Sequence, residues 1–130
     1  MLFLDRFREM VDRSELRHPV TPQRALETWA EFVEDCGEGY GSTLYEYWDD
    51  ISIRRFLQAV IADPVIRSTP EAEWFAAEVG RIDDSFREVL EGGFAVSGGW
   101  GWWEQRIPAF CGEEMAFNVR EHYGFEIEVR

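Results

Sequence analysis

Residues 68–93 read STPEAEWFAAEVGRIDDSFREVLEGG, and the spacing of the apolar residues in this stretch decides the fold. Phe75, Val79, Ile82, Phe86 and Val89 recur at steps of four, three, four and three. That spacing puts all of them on one face of an α-helix. Ser68 and Glu71 have capping-box spacing ahead of it, and Gly92-Gly93 stop it. A coiled-coil seam needs roughly three to four heptads, so the stretch predicts a central core helix. The neighbouring acids Asp83 and Asp84 point about 100° apart on such a helix, do not form a shared-proton pair, and read as a solvated face.

Working towards the N-terminus, Ile53, Phe56, Leu57, Val60 and Ile61 carry an apolar stripe up to Asp63-Pro64. Thr43 and Glu46 again have capping-box spacing, which predicts helix over 43–62 with a break near Asp50. Thr21-Pro22 is a cap and first-turn pair for a helix with Leu26, Trp29, Ala30 and Val33 on one face, stopping near Gly37. Phe3, Phe7, Met10 and Val11 predict a first helix over 3–16, ended by Pro19 and Pro22.

Beyond residue 93 the pattern shortens. FAVSGGWGWW reads as two strands about a Ser-Gly-Gly turn, and GEEMAFNVREHYG as a helix ending at Gly124. FEIEVR alternates Phe125, Ile127 and Val129 with glutamates, as a strand with one wet face does. The expectation is one mainly helical α+β domain over residues 1–130. It has about four to five helices and a small C-terminal antiparallel sheet.

A hydrophobic content of 45% with 15% aromatics supports a packed core in 130 residues. The charge is lopsided: 26 acidic against 13 basic residues, all arginine, for a net −13. Such a surface disfavours nucleic acid and anionic lipid as partners and favours a basic protein. The opening MLFLDRFREM does not read as a secretory leader, because Asp5 and Arg6 interrupt its short apolar run. No stretch reaches the ~20 apolar residues of a membrane span. A cytoplasmic protein with Cys36 and Cys111 as free thiols is expected.

No catalytic, cofactor or metal motif is expected either. Cys111 precedes the helix over 112–123, where a thiol pKa is lowered. The base it needs is out of reach in His122, eleven residues on, or ~16 Å along a helix. His18 would meet it only through tertiary structure. The two histidines and two cysteines lack zinc-ligand spacing. Glu46 with Asp49 or Asp50 shares a helix face, but without an EF-hand pattern it reads as solvated surface.

Two segments are candidates for function. In residues 97–110, SGGWGWWEQRIPAF, the residues Trp100, Trp102, Trp103, Glu104 and Arg106 either line the cleft of a small-molecule-binding protein or enzyme over 98–108 or plug the core. Strand alternation would put Trp100 and Trp102 opposite Trp103; aromatics on both faces favour the plug.

The second segment is acidic. Glu27, Glu31, Glu34, Asp35, Glu38, Glu46, Asp49 and Asp50 fall between Arg24 and Arg54 with no basic residue among them. The first five lie on one helix face, away from Leu26, Trp29 and Val33, and predict a docking stripe for a basic partner. YEYWDDISIRRFLQAVIAD at 45–63, after WAEFVED at 29–35, resembles a pattern in small uncharacterised bacterial proteins, and the chain as a whole is similar to small acidic bacterial proteins of toxin-immunity type. The resemblance is one of class, carried by size, charge and compactness. It implies a non-enzymatic inhibitor whose carboxylates mimic phosphates at the basic site of a toxin such as a nuclease. Tyr40, Tyr45 or Tyr47 would then supply the anchors.

Overall fold

The computed structural model describes residues 2–16 and 20–130. His18 and Pro19, invoked above, lie outside the described residues. The helices are α1 Phe3–Arg13, α2 Pro22–Glu38, α3 Leu44–Ile51, α4 Ile53–Ala62, the single turn α5 Pro64–Arg67, α6 Ala72–Leu90 and α7 Glu113–Tyr123. The strands are β1 Phe94–Ala95, β2 Arg106–Ile107, β3 Phe110–Cys111 and β4 Glu128–Val129, with a 3-10 turn at Trp102–Glu104. The result is the mainly helical α+β domain the periodicity predicts.

α6 is the central helix. Phe75, Val79, Ile82 and Phe86 are buried along it, and Leu90 closes the seam where Val89 was expected, Val89 being only half-buried. A straight helix repeats at 3.6 residues and drifts from a strict heptad. α2 packs along α6: Trp29 meets Phe86 edge-on at 5.1 Å, and Phe32 lies 5.8 Å from the same ring. α1 covers the other end, where Phe3 and Phe7 sit 5.6 and 6.1 Å from Phe75.

The caps on α2 and α3 form as the sequence predicts: Thr21 Oγ1 accepts from Arg24 N, and Thr43 Oγ1 from Glu46 N. The break in 43–62 falls at Ser52, between α3 and α4. Ser68, by contrast, does not cap α6. Asp63 starts α5 by accepting from Ile66 N at 3.0 Å, and Ser68 ends that turn with its hydroxyl on Val65 O at 2.7 Å. The Asp63-Pro64 stop is itself a helix start, which takes up the hydroxyl the capping box needed.

Asp83 corrects the reading of the acidic pair. Asp84 is exposed, but Asp83 is buried between α2, α4 and α6. Arg54 Nε and Nη2 both donate to it at 2.8 Å, and Trp29 Nε1 donates at 3.0 Å. Asp83 stands four residues after Val79 and three before Phe86, so the helical period places it on the apolar face.

The sheet is finer than a single antiparallel unit. β1 and β2 pair antiparallel, Phe94 opposite Ile107. β3 and β4 pair parallel, Phe110 opposite Glu128. The chain between β3 and β4 runs through α7, and a helical crossover brings the second strand back in the same direction. GWGWW is not a strand. Gly99 takes φ +98°, Glu104 N donates to Gly101 O to close the 3-10 turn that carries Trp102 and Trp103, and the Glu104 carboxylate turns back to accept from Trp100 N at 2.9 Å.

Asp63 also ties α1 to α5, accepting from Arg6 Nε and Nη2 at 3.0 and 2.7 Å. The Arg6 hydrogen bonds hold its carboxyl at about 2, below the ordinary 3.8, against the opposing effect of burial. A depressed folded-state pKa stabilises above the unfolded value and loses that contribution as pH falls through the folded one. Unfolding midpoints measured from pH ~5 to pH ~2 should therefore fall more steeply for the natural chain than for Asp63→Asn. The variant should be the less stable of the two near neutrality.

Candidate functional site

All eight carboxylates of the acidic segment are exposed, on α2 and on α3, which packs against it. Their surroundings divide them. Arg24, one turn before the first, donates to Glu31 at 2.9 and 3.3 Å and to Glu27 at 3.3 Å. This holds the Glu31 carboxyl below its usual range. Glu46 is tied into the cap of α3 through Thr43, and Asp50 accepts from Tyr40 Oη at 2.5 Å. Glu34, Asp35, Glu38 and Asp49 have no ion-pair partner among the described residues.

Those four stand in the C-terminal halves of their helices, and neither helix has a basic residue in its last turn. The dipole of α2 is negative at that end, so Glu34, Asp35 and Glu38 are each disfavoured there by about 0.3–1 kcal/mol, whereas α3 runs through Ser52 straight into the start of α4. The two pairs Glu31–Asp35 and Glu34–Glu38 add like-charge repulsion at i, i+4. Among the described residues no ion pair to Glu34, Asp35, Glu38 or Asp49 relieves this repulsion.

The three tyrosines separate. Tyr40 and Tyr47 are core residues, and only Tyr45, 65% exposed, remains available to a partner. Burial, then the hydrogen bond to Asp50, raises the Tyr40 pKa. Burial also raises that of Tyr47, whose hydroxyl finds no hydrogen-bond partner among the described residues.

The tryptophan segment does not close around one cleft. Trp103 is buried, with the Arg54 guanidinium 4.4 Å over its ring. Trp102 is half-buried beneath Arg87 at 4.1 Å, and Trp100 is 80% exposed beside Arg55 at 5.1 Å. Glu104 is buried and accepts from Arg55 Nε at 2.9 and 3.1 Å, while Arg106 donates to Gly93 O. Each tryptophan is matched to a different arginine. Trp103 is the plug, seated where Gly101 has no Cβ to meet its ring. The consecutive Arg54-Arg55 inside an apolar helix was the legible signal for this arrangement.

A cavity of about 600 Å³ opens between α1 and the α3–α4 junction beside Arg6, Arg13, Arg55, Met10 and Phe56. Most of its charge is already matched: Arg6 is held by Asp63 and Glu9, Arg55 by Glu104, and Glu15 and Asp49 share its walls with Arg13. A second cavity of about 240 Å³ lies over the Arg55–Glu104 pair, between Trp48, Tyr123 and Gly98-Gly99.

Cys111 is no activated thiol. It sits in β3, two residues ahead of α7, and burial pushes its pKa up to about 11. Cys36 is raised further, again by burial, and both thiols are free and buried. His122 is exposed at the far end of α7. Among the described residues no group of three or more His, Cys, Asp or Glu is placed to hold a metal ion.

Known proteins add no constraint. The chain matches no family model, no curated protein and no solved structure. Among the described residues no helix is long and apolar enough to cross a membrane.

Proposed function

We propose that this protein is a non-enzymatic binding domain of immunity type, acting in the cytoplasm, whose α2–α3 face docks on a basic protein. One observation carries the reading: Glu34, Asp35, Glu38 and Asp49 are exposed without an ion-pair partner among the described residues, the first three at the end of α2 where the dipole disfavours them. A chain selected for stability alone would place arginines there. A basic partner relieves the repulsion on docking, so the strain becomes part of the association energy. Long-range attraction to the net −13 charge would also speed encounter.

The test separates binding from folding. Asp35→Lys and Glu38→Lys each turn a like-charge pair into a Glu–Lys pair at i, i+4 and put a cation at the helix C-terminus. The double variant should be more stable by about 0.5–2 kcal/mol in urea unfolding. It should at the same time lose the basic protein that the natural chain retains from the source lysate at low salt and releases at high salt. Equal capture by both chains would overturn the reading.

A further inference from the structure

We propose that the groove between the start of α3 and the first turns of α7 anchors the same docking face by seating an arginine side chain of the basic partner. The inference rests on the binding reading above and adds the chemistry of the contact. Phe117, on α7, is 55% exposed and forms one wall of a groove of about 400 Å³. The other walls are Thr43, Asn118, Glu113 and Glu114. The groove is rigidly built. Asn118 Oδ1 accepts from Leu44 N at 3.0 Å, which pins α7 to the first residue of α3. Gly112 N donates to Tyr40 O at 2.9 Å, which pins the start of α7 to the loop after Glu38. Glu113, on the groove wall, therefore follows directly on the residue bonded to the loop that leaves α2 after Glu38.

Charge complementarity selects the occupant. Glu113 and Glu114 are exposed, and neither has an ion-pair partner among the described residues. A planar guanidinium lying on the Phe117 ring can donate to both carboxylates, whereas an ammonium offers a point charge with no flat face. The fold uses this pairing on itself: Arg54, Arg55, Arg87 and Arg130 lie 4.0–5.1 Å from the rings of Trp103, Trp100, Trp102 and Phe110. None of these four pairs involves Phe117. It is an exposed aromatic face with carboxylates around it and no cation of its own among the described residues.

Labelled nona-arginine and nona-lysine peptides, titrated into the full chain at low salt by fluorescence anisotropy, test the proposal. The arginine peptide should bind about fivefold more tightly than the lysine peptide, from roughly 1 kcal/mol of cation–π contact. Phe117→Ala should erase that preference while leaving the salt-dependent binding common to both peptides. Because Phe117 is exposed, the variant should melt within a few degrees of the natural chain, which is checked by circular dichroism. A preference that survives Phe117→Ala overturns the groove. If Asp35→Lys with Glu38→Lys abolishes binding of both peptides but Phe117→Ala changes nothing, the groove falls and the acidic face stands. If neither peptide binds the natural chain, both fall. Self-association in sedimentation that Phe117→Ala abolishes would identify a second copy as the occupant and overturn the arginine proposal.

Discussion

Asp83→Ala should lower the free energy of unfolding by about 3–5 kcal/mol, because it strands a buried cation. The Arg54 guanidinium is 3% exposed and gives two of its hydrogen bonds to the Asp83 carboxylate. With that carboxylate gone, Gln58, which accepts from Arg54 Nη1 at 3.0 Å, is the remaining polar partner. Trp29 Nε1 loses its acceptor in the same step. Asp83→Asn keeps an oxygen for one donor and should lose less. Converting the pair together, Arg54→Met with Asp83→Leu, should lose less than Asp83→Ala alone, because no charge is then left buried. Urea unfolding of the four chains measures this. A loss under about 1 kcal/mol for Asp83→Ala would mean that the pair is hydrated rather than sealed among α2, α4 and α6.

Two tryptophans three residues apart should behave in opposite ways. Trp103→Ala should lose about 3–5 kcal/mol, the range for emptying a large aromatic site in a core. The ring is 5% exposed, lies under Arg54 and meets Trp102 edge-on at 5.9 Å. Trp100 is 80% exposed, so Trp100→Ala should stay within about 0.5 kcal/mol. Trp103→Phe sharpens the comparison. The Trp103 indole N–H is buried with no acceptor among the described residues, so the phenyl ring gives up packing area and loses no hydrogen bond. Its loss should fall well short of that of the alanine variant. Equal effects of the two alanine substitutions in thermal unfolding would refute the plug.

The residues that stabilise the fold and those proposed to dock are separated in space. Asp83, Arg54 and Trp103 work inside the α2–α4–α6 core, whereas Glu34, Asp35, Glu38 and Phe117 leave it. Substitutions on the docking face are therefore expected to change binding without unfolding the chain, which makes the charge and aromatic variants readable.

What sequence alone determined is whatever depends on local spacing. The α6 seam from Phe75 to Phe86, the threonine caps on α2 and α3 and the break at Ser52 follow from interactions within a few residues. So does the acidic run, since exposure of Glu27 to Glu38 follows from the apolar face opposite them. The aromatic content of residues 100–103 was also plain, but its geometry was not. Alternation presupposes a strand, and the chain there is a 3-10 turn closed from Glu104 N to Gly101 O, with the Glu104 carboxylate held on Trp100 N.

Tertiary structure decided the rest. The helical period already puts Asp83 on the apolar face of α6, but what makes its charge tolerable there is settled only when Arg54, 29 residues earlier, is brought against it. β4 reads as an antiparallel partner until the α7 crossover delivers it parallel to β3. Tyr40 and Tyr47 read as anchors until α2 and α3 close over them, and the groove at Phe117 exists only where α7 meets α3. Helix periodicity is short-range and legible in one dimension. Which charge meets which, and which aromatic face stays uncovered, depends on how whole helices pack, and no local spacing encodes that.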